Sequence, residues 1–159
     1  MNSLIQLQRA TPIVIIALAC IGGLVPKTQA VSPPPDGGYP GANTAEGDSA
    51  LFNLTSGVYN TAVGLFSLES NTTGDFNTAV GAKTLLANTA GYNTALGFEA
   101  LMSNITGTDN TANGALALAS NTTGHDNTAN GFQALFNNTT ANRNTANGAF
   151  ALLNNTARS

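Results

Sequence analysis

The chain has 159 residues, of which only 8% are charged, and a formal net charge of −3 at pH 7. That length allows one domain, and a charged fraction far below the usual quarter, with acids in excess, excludes a basic nucleic-acid-binding surface. The single cysteine, Cys20, excludes an intrachain disulfide framework, and the single histidine is His125.

Residues 1–30 read as a secretory signal peptide. Arg9 and the N-terminal amine precede the uncharged apolar stretch from Pro12 to Val25, and Thr28-Gln29-Ala30 supplies small residues at the cleavage positions. The stretch is shorter than the roughly 20 apolar residues of a membrane span and contains Gly22 and Gly23. Cys20 lies inside it and reads as a small apolar residue of a discarded leader, the alternative being a lipid-attachment cysteine after Ala17-Leu18-Ala19. Residues 31–42, VSPPPDGGYPGA, form a Pro/Gly-rich linker. From Val31 onward three bases stand against eight acids, a net charge of about −5.

Residues 43–159 are a repeat domain. Asn-Thr-Ala-x-Gly begins at Asn43, Asn60, Asn77, Asn93, Asn110, Asn127 and Asn144, at spacings of 17 residues with a single 16. Each motif is followed, after two variable residues, by a small residue and then a leucine: Leu51, Leu68, Leu85, Leu101, Leu118, Leu135 and Leu152. A strict short period means one unit stacked many times, each copy completing its neighbour's core. Disorder is a poor alternative, because disordered segments lack regularly placed Leu and Ala. The segment from Phe98 to Thr106 is too short for an independent helix and lacks its periodicity, and one fixed Leu per repeat is too few for a leucine-rich repeat. Short extended pieces with Gly and Asn corners fit instead.

These features predict an all-β fold, a parallel β-solenoid of about seven 17-residue turns. At about 4.8 Å per turn the rod would be on the order of 33 Å long. The Leu column and the Ala column from Ala45 to Ala146 are expected to face inward. Two glycine columns, represented by Gly64 with Gly74 and Gly114 with Gly124, are expected at corners of positive φ. The residue before the first of them changes from Glu46, Val63, Val80 and Leu96 to Asn113, Asn130 and Asn147, so one surface turns polar midway. Those three Asn either stack as an amide ladder or stand solvated at corners.

Asn60-Thr61-Ala62-Val63-Gly64, Asn77-Thr78-Ala79-Val80-Gly81 and Asn93-Thr94-Ala95-Leu96-Gly97 resemble the Ser-Val-Ala-Ile-Gly repeat of YadA-like trimeric autotransporter heads. Longer repeats of the Asn-Thr-Ala-x-Gly kind are similar to those of bacterial surface and tail-fibre-like proteins. The resemblance covers residues 43–159 and implies a left-handed β-roll, a homotrimer, and export to a bacterial cell surface for adhesion to a host, matrix or other surface ligand. Alignment with that family would turn the Thr column, from Thr44 to Thr145, inward in place of the Ala column.

No residue set points to catalysis, a cofactor or a metal. His125 beside Asp126 sits in a variable arc whose equivalents are Asp75, Thr108 and Asn142, without a nucleophile or second His. Asp75, Asp109 and Asp126 supply one carboxylate per turn, too few for calcium, which takes six to eight oxygens. The Asn-x-Thr sequons at Asn53, Asn71, Asn104, Asn121, Asn137, Asn138 and Asn154 arise from the repeat itself. The expected function is an exported, non-enzymatic adhesion module displaying Asn and Thr columns multivalently. Phe66, Phe98, Phe132 and Phe150 are candidates for packing between protomers. The alternatives are an ice-binding solenoid using the Thr column and a purely structural segment of a longer fibre.

Overall fold

A computed structural model describes residues 39–156. Seven three-residue strands follow one another: β1 (Thr44–Glu46), β2 (Thr61–Val63), β3 (Thr78–Val80), β4 (Thr94–Leu96), β5 (Thr111–Asn113), β6 (Thr128–Asn130) and β7 (Thr145–Asn147). They form one parallel sheet in sequential order, and no helix occurs among the described residues. The register is that of the repeat, Thr on Thr and Ala on Ala from Thr44↔Thr61 to Ala129↔Ala146. This is the β-solenoid that the period predicts. Each strand buries its Ala and turns the residues on either side outward, so the Thr column lies on the outer face and the resemblance-based alternative is set aside.

The extended part of each turn is shorter than the sequence suggests. Beyond the strand, the chain advances through hydrogen-bonded turns, such as Ala117 N–H to the Gly114 carbonyl at 3.2 Å and Asn121 N–H to the Leu118 carbonyl at 3.0 Å. The turns are nevertheless stacked by backbone bonds like a ladder. Leu101 N–H donates to the Ala117 carbonyl at 3.0 Å in the following turn, and Glu99 N–H to the Ala82 carbonyl at 3.0 Å in the preceding one. Nearly the whole circumference therefore satisfies its polar backbone between neighbours, as burial requires.

Three residues per turn other than glycine hold φ near +50 to +62°, for example Glu99, Leu101 and Asp109. Left-handed backbone at a Leu or Tyr costs of order 1–3 kcal/mol and persists only where the surroundings over-determine it. Here the over-determination is the stack itself, since every turn presents the same left-handed residues to the next. The first glycine column behaves as expected: Gly114 has φ +139°. The second does not. Gly74, Gly107 and Gly124 lack positive φ, and a Cβ on any of them would lie 2.3–2.5 Å from a backbone carbonyl oxygen of the next turn. That column is glycine because two backbones approach too closely for a side chain.

The core is made of the Ala column of the strands, the Leu column, the small residues before each Leu (Ala50, Ser67, Thr84, Ala100, Ala117 and Ala134) and two amide columns. Leu51, Leu68, Leu85, Leu101, Leu118 and Leu135 are at most 1% exposed, whereas Leu152 in the last turn is 50% exposed. Each buried Leu stabilises by roughly 1.5–3 kcal/mol relative to exposure. The leading Asn of every motif is turned inward beside them. Asn110 shows the pattern: its Nδ2 donates to the Asn93 Oδ1 at 3.2 Å and to the Gly124 carbonyl at 2.8 Å, while its N–H also donates to Asn93 Oδ1 at 3.1 Å. A second ladder runs through Asn88, Asn104, Asn121, Asn138 and Asn155, with Nδ2-to-Oδ1 links of 2.7–3.1 Å. Both ladders donate to the carbonyls of the tight glycine column, the second within its own turn, as Asn104 to Gly107, and the first to the following turn, as Asn110 to Gly124. At the first turn, Leu54 stands where the second ladder would continue, and it packs with Tyr39 against the core.

Candidate binding face

Strand alternation sends three columns outward on the sheet side. The Thr column and the residue two further on flank the buried Ala, and the residue just before the buried leading Asn forms a third. In the third column Tyr59, Phe76 and Tyr92 stack on one another with ring centroids 5.1 Å apart and interplanar angles of 16° and 18°. They are 59%, 45% and 59% exposed. On the far side of the Thr column, the other outer strand column holds Val63, Val80 and Leu96, also exposed. Leu65 and Phe98, past the glycine corner, extend the apolar character of the same chain segments. Three consecutive rungs thus expose aromatic, Thr and aliphatic side chains in rows.

The rows on either side are mostly polar, apart from Ala42 before them and the exposed Phe132 after them. Before them come Ala42, Thr44, Glu46 and Asp48, and after them Asp109, Thr111 and Asn113, then Asp126, Thr128 and Asn130. Exposed apolar residues gathered on neighbouring rungs point to an interaction surface more than singly scattered ones do. The Tyr59–Phe76–Tyr92 column escapes a reading organised around the motif because it occupies the last, variable place of each repeat. Writing the repeats in register brings the three rings together. The Thr hydroxyls from Thr44 to Thr145 make no hydrogen bond to the protein, although their backbones are fixed in the ladder.

The other sequence candidates fall elsewhere. His125 Nδ1 lies 3.0 Å from Asp126 Oδ2, and Arg143 Nε lies 3.9 Å from the same oxygen, all three exposed to solvent. An exposed cluster of this kind contributes little to stability, and no nucleophile adjoins it. Asp75 Oδ1 accepts the Val58 N–H at 2.8 Å. Among the described residues no group of three His, Cys, Asp or Glu is placed to hold a metal ion.

Asn113, Asn130 and Asn147 are the solvated alternative of the two envisaged, with no side-chain hydrogen bond, and the amide ladders occupy the two inner columns instead. The four phenylalanines divide between two columns. Phe66 is partly buried while Phe98, Phe132 and Phe150 are exposed, and Phe132 and Phe150 meet edge-on at 5.2 Å. The expected signal peptide, Cys20 and most of the expected linker lie outside the described residues; of the latter, the Pro40 carbonyl accepts the Asn43 Nδ2 at 2.6 Å. No described helix is long and apolar enough to cross a membrane.

Comparison of the chain with family models, with curated proteins and with solved structures finds no match in any of the three.

Proposed function

We propose that the protein is an exported, non-enzymatic surface module that adheres to its target through the outer sheet face. The observation that carries this reading is the pair of exposed apolar columns, Tyr59, Phe76 and Tyr92 on one side of the Thr column and Val63, Val80 and Leu96 on the other, over three consecutive rungs. Stacked rings present their edges and phenolic oxygens to solvent, a rigid amphipathic surface of the kind enriched at interfaces. The rungs repeat each contact at the strand spacing, so weak contacts with a repetitive target add through effective concentration. The likeness to YadA-like head repeats supports export and trimeric display. Binding of the purified protein to immobilised matrix proteins and polysaccharides tests the proposal. Replacing Tyr59, Phe76 and Tyr92 together by Ser should abolish retention while moving the melt by only a few degrees. Retention unchanged in that variant overturns it, and sedimentation of both proteins shows whether the patch instead joins copies of the chain.

Ice binding is the second reading, favoured by one observation. Seven Thr in register expose hydroxyls without protein partners, at a spacing of about 4.8 Å along the sheet. Thr111→Tyr and Thr128→Tyr would break that column in the polar half without touching the aromatic patch. Ice-growth inhibition that is lost in this double variant would favour the second reading over the first.

A further inference from the structure

The seven sequons are equivalent as tripeptides but not in space. Asn71, Asn104, Asn121 and Asn138 occupy the second inner column, the last three as links of its amide ladder, and all four are completely buried. In Asn104, Asn121 and Asn138 both Nδ2 protons are committed: to the Oδ1 of the preceding rung at 2.7, 2.8 and 2.9 Å, and to a carbonyl of their own turn at 2.8, 2.9 and 3.1 Å. Asn71 Nδ2 donates to the Gly74 carbonyl at 2.9 Å, and its Oδ1 accepts the Gly74 N–H at 3.0 Å. Asn53, Asn137 and Asn154 stand one place earlier in their repeats and reach solvent. Asn137 and Asn138 are neighbours in sequence with overlapping sequons, yet only the second is sealed in the core.

We infer that rod formation and N-glycosylation of the inner column exclude each other, so that the chain becomes a rod only where folding escapes that modification. N-glycosylation joins the Asn Nδ2 to C1 of a sugar. The amide nitrogen loses a proton, the bond from C1 to the lipid pyrophosphate of the donor oligosaccharide breaks, and the lipid pyrophosphate leaves. An Nδ2 so substituted keeps one proton where the ladder uses two, and it carries a bulky polar group into a space closed by the next turn. Transfer to a chain not yet folded therefore removes the ladder at that rung. The outer sequons face no such conflict, and Asn53, Asn137 and Asn154 are the acceptors that a folded rod offers.

The acceptor Thr of each inner sequon provides a clean test. Thr73, Thr106, Thr123 and Thr140 are exposed and make no side-chain hydrogen bond, so the quadruple Thr→Ala variant removes the inner sequons and leaves the ladder untouched. The full chain and this variant would be secreted through a eukaryotic N-glycosylating pathway and also exported to a bacterial periplasm. Glycopeptide mapping and protease resistance would be measured on each. We expect every protease-resistant molecule to be unmodified at Asn71, Asn104, Asn121 and Asn138, and molecules occupied there to be digested. The variant should convert the occupied, digestible fraction into resistant rods. Resistant rods with glycans on the inner column would overturn the inference, as would a variant that folds no better than its parent through the glycosylating route.

Discussion

The rungs around β2 to β4 and those around β5 to β7 share one backbone and one interior, yet present different surfaces. In both halves Ala faces in, the leading Asn forms its ladder, and Leu closes the core up to Leu135. Outside, Tyr59, Phe76 and Tyr92 give way to Asp109, Asp126 and Arg143, and Val63, Val80 and Leu96 give way to Asn113, Asn130 and Asn147. The difference shows where selection by stacking ends. An inward side chain must fit the copies above and below it, while an outward one answers only to solvent and to whatever it meets. Stability is spread along both halves, while the exposed Tyr59–Phe76–Tyr92 column is confined to the first.

The largest expected effect strikes the shared interior. Leu101→Asp places an unpaired carboxylate at the middle of the buried Leu column, at a cost of several kcal/mol, comparable with the whole stability of a small domain. Loss of the circular-dichroism signal and of a cooperative melt is expected. A folded Leu101→Asp protein would break the claim that the two halves are held by one core.

The same substitution inside and outside sharpens the comparison. Asn93→Leu strips the buried ladder of the oxygen that accepts both the Asn110 N–H and its Nδ2, and removes one of the two side-chain donors to the Gly107 carbonyl, the other being Asn104 Nδ2. Buried polar groups left unsatisfied cost about 1–3 kcal/mol each, so thermal melting should fall by roughly 10 °C or more. Asn113→Leu lies on the exposed outer column and should stay within about 0.5 kcal/mol of the parent. Equal melts for the two would mean that the amide ladder does not hold the rod.

Transferring the surface of one half to the other is expected to leave the fold nearly unchanged. Asp109→Tyr with Asp126→Tyr and Asn113→Val with Asn130→Val would carry the apolar rows two rungs further. The left-handed backbone at Asp109 and Asp126, φ 58° at each, is already accepted by Tyr59 at 57° and Tyr92 at 62°. Asp tolerates that region better than Tyr, so a loss of about 1 kcal/mol per aromatic substitution is expected, with stronger retention on the surface that the parent binds. The smallest effect is His125→Ala, which removes one exposed contact to Asp126. Melting and retention should both match the parent within error, and a loss of retention would move recognition into the polar half.

Much of this architecture was legible in the repeat. A fixed 17-residue period leaves equal residues no choice but to stack, and a Leu recurring once per turn has only the interior to go to. Parallel pairing, register and the inward Leu column follow from that alone, whereas the choice of Ala over Thr as the inward residue of the strand is made by the structure. The polar interior does not. Asn71, Asn104, Asn121 and Asn138 look in sequence like a solvated arc, because their partners are the Asn of the next turn and a glycine carbonyl three places on. Which face of a turn such residues take depends on how the turn closes. Closure rests on left-handed backbone at Leu101, Glu99 and Asp109, residue types that do not announce it. The apolar patch lies between these cases: its residues are plain in the sequence, but one surface is made of them only when successive turns are laid 4.8 Å apart or so by the ladder. Period is a local property that a chain carries in its own order, whereas the closure of a turn and the partners of a buried amide are settled by neighbours about 17 residues away.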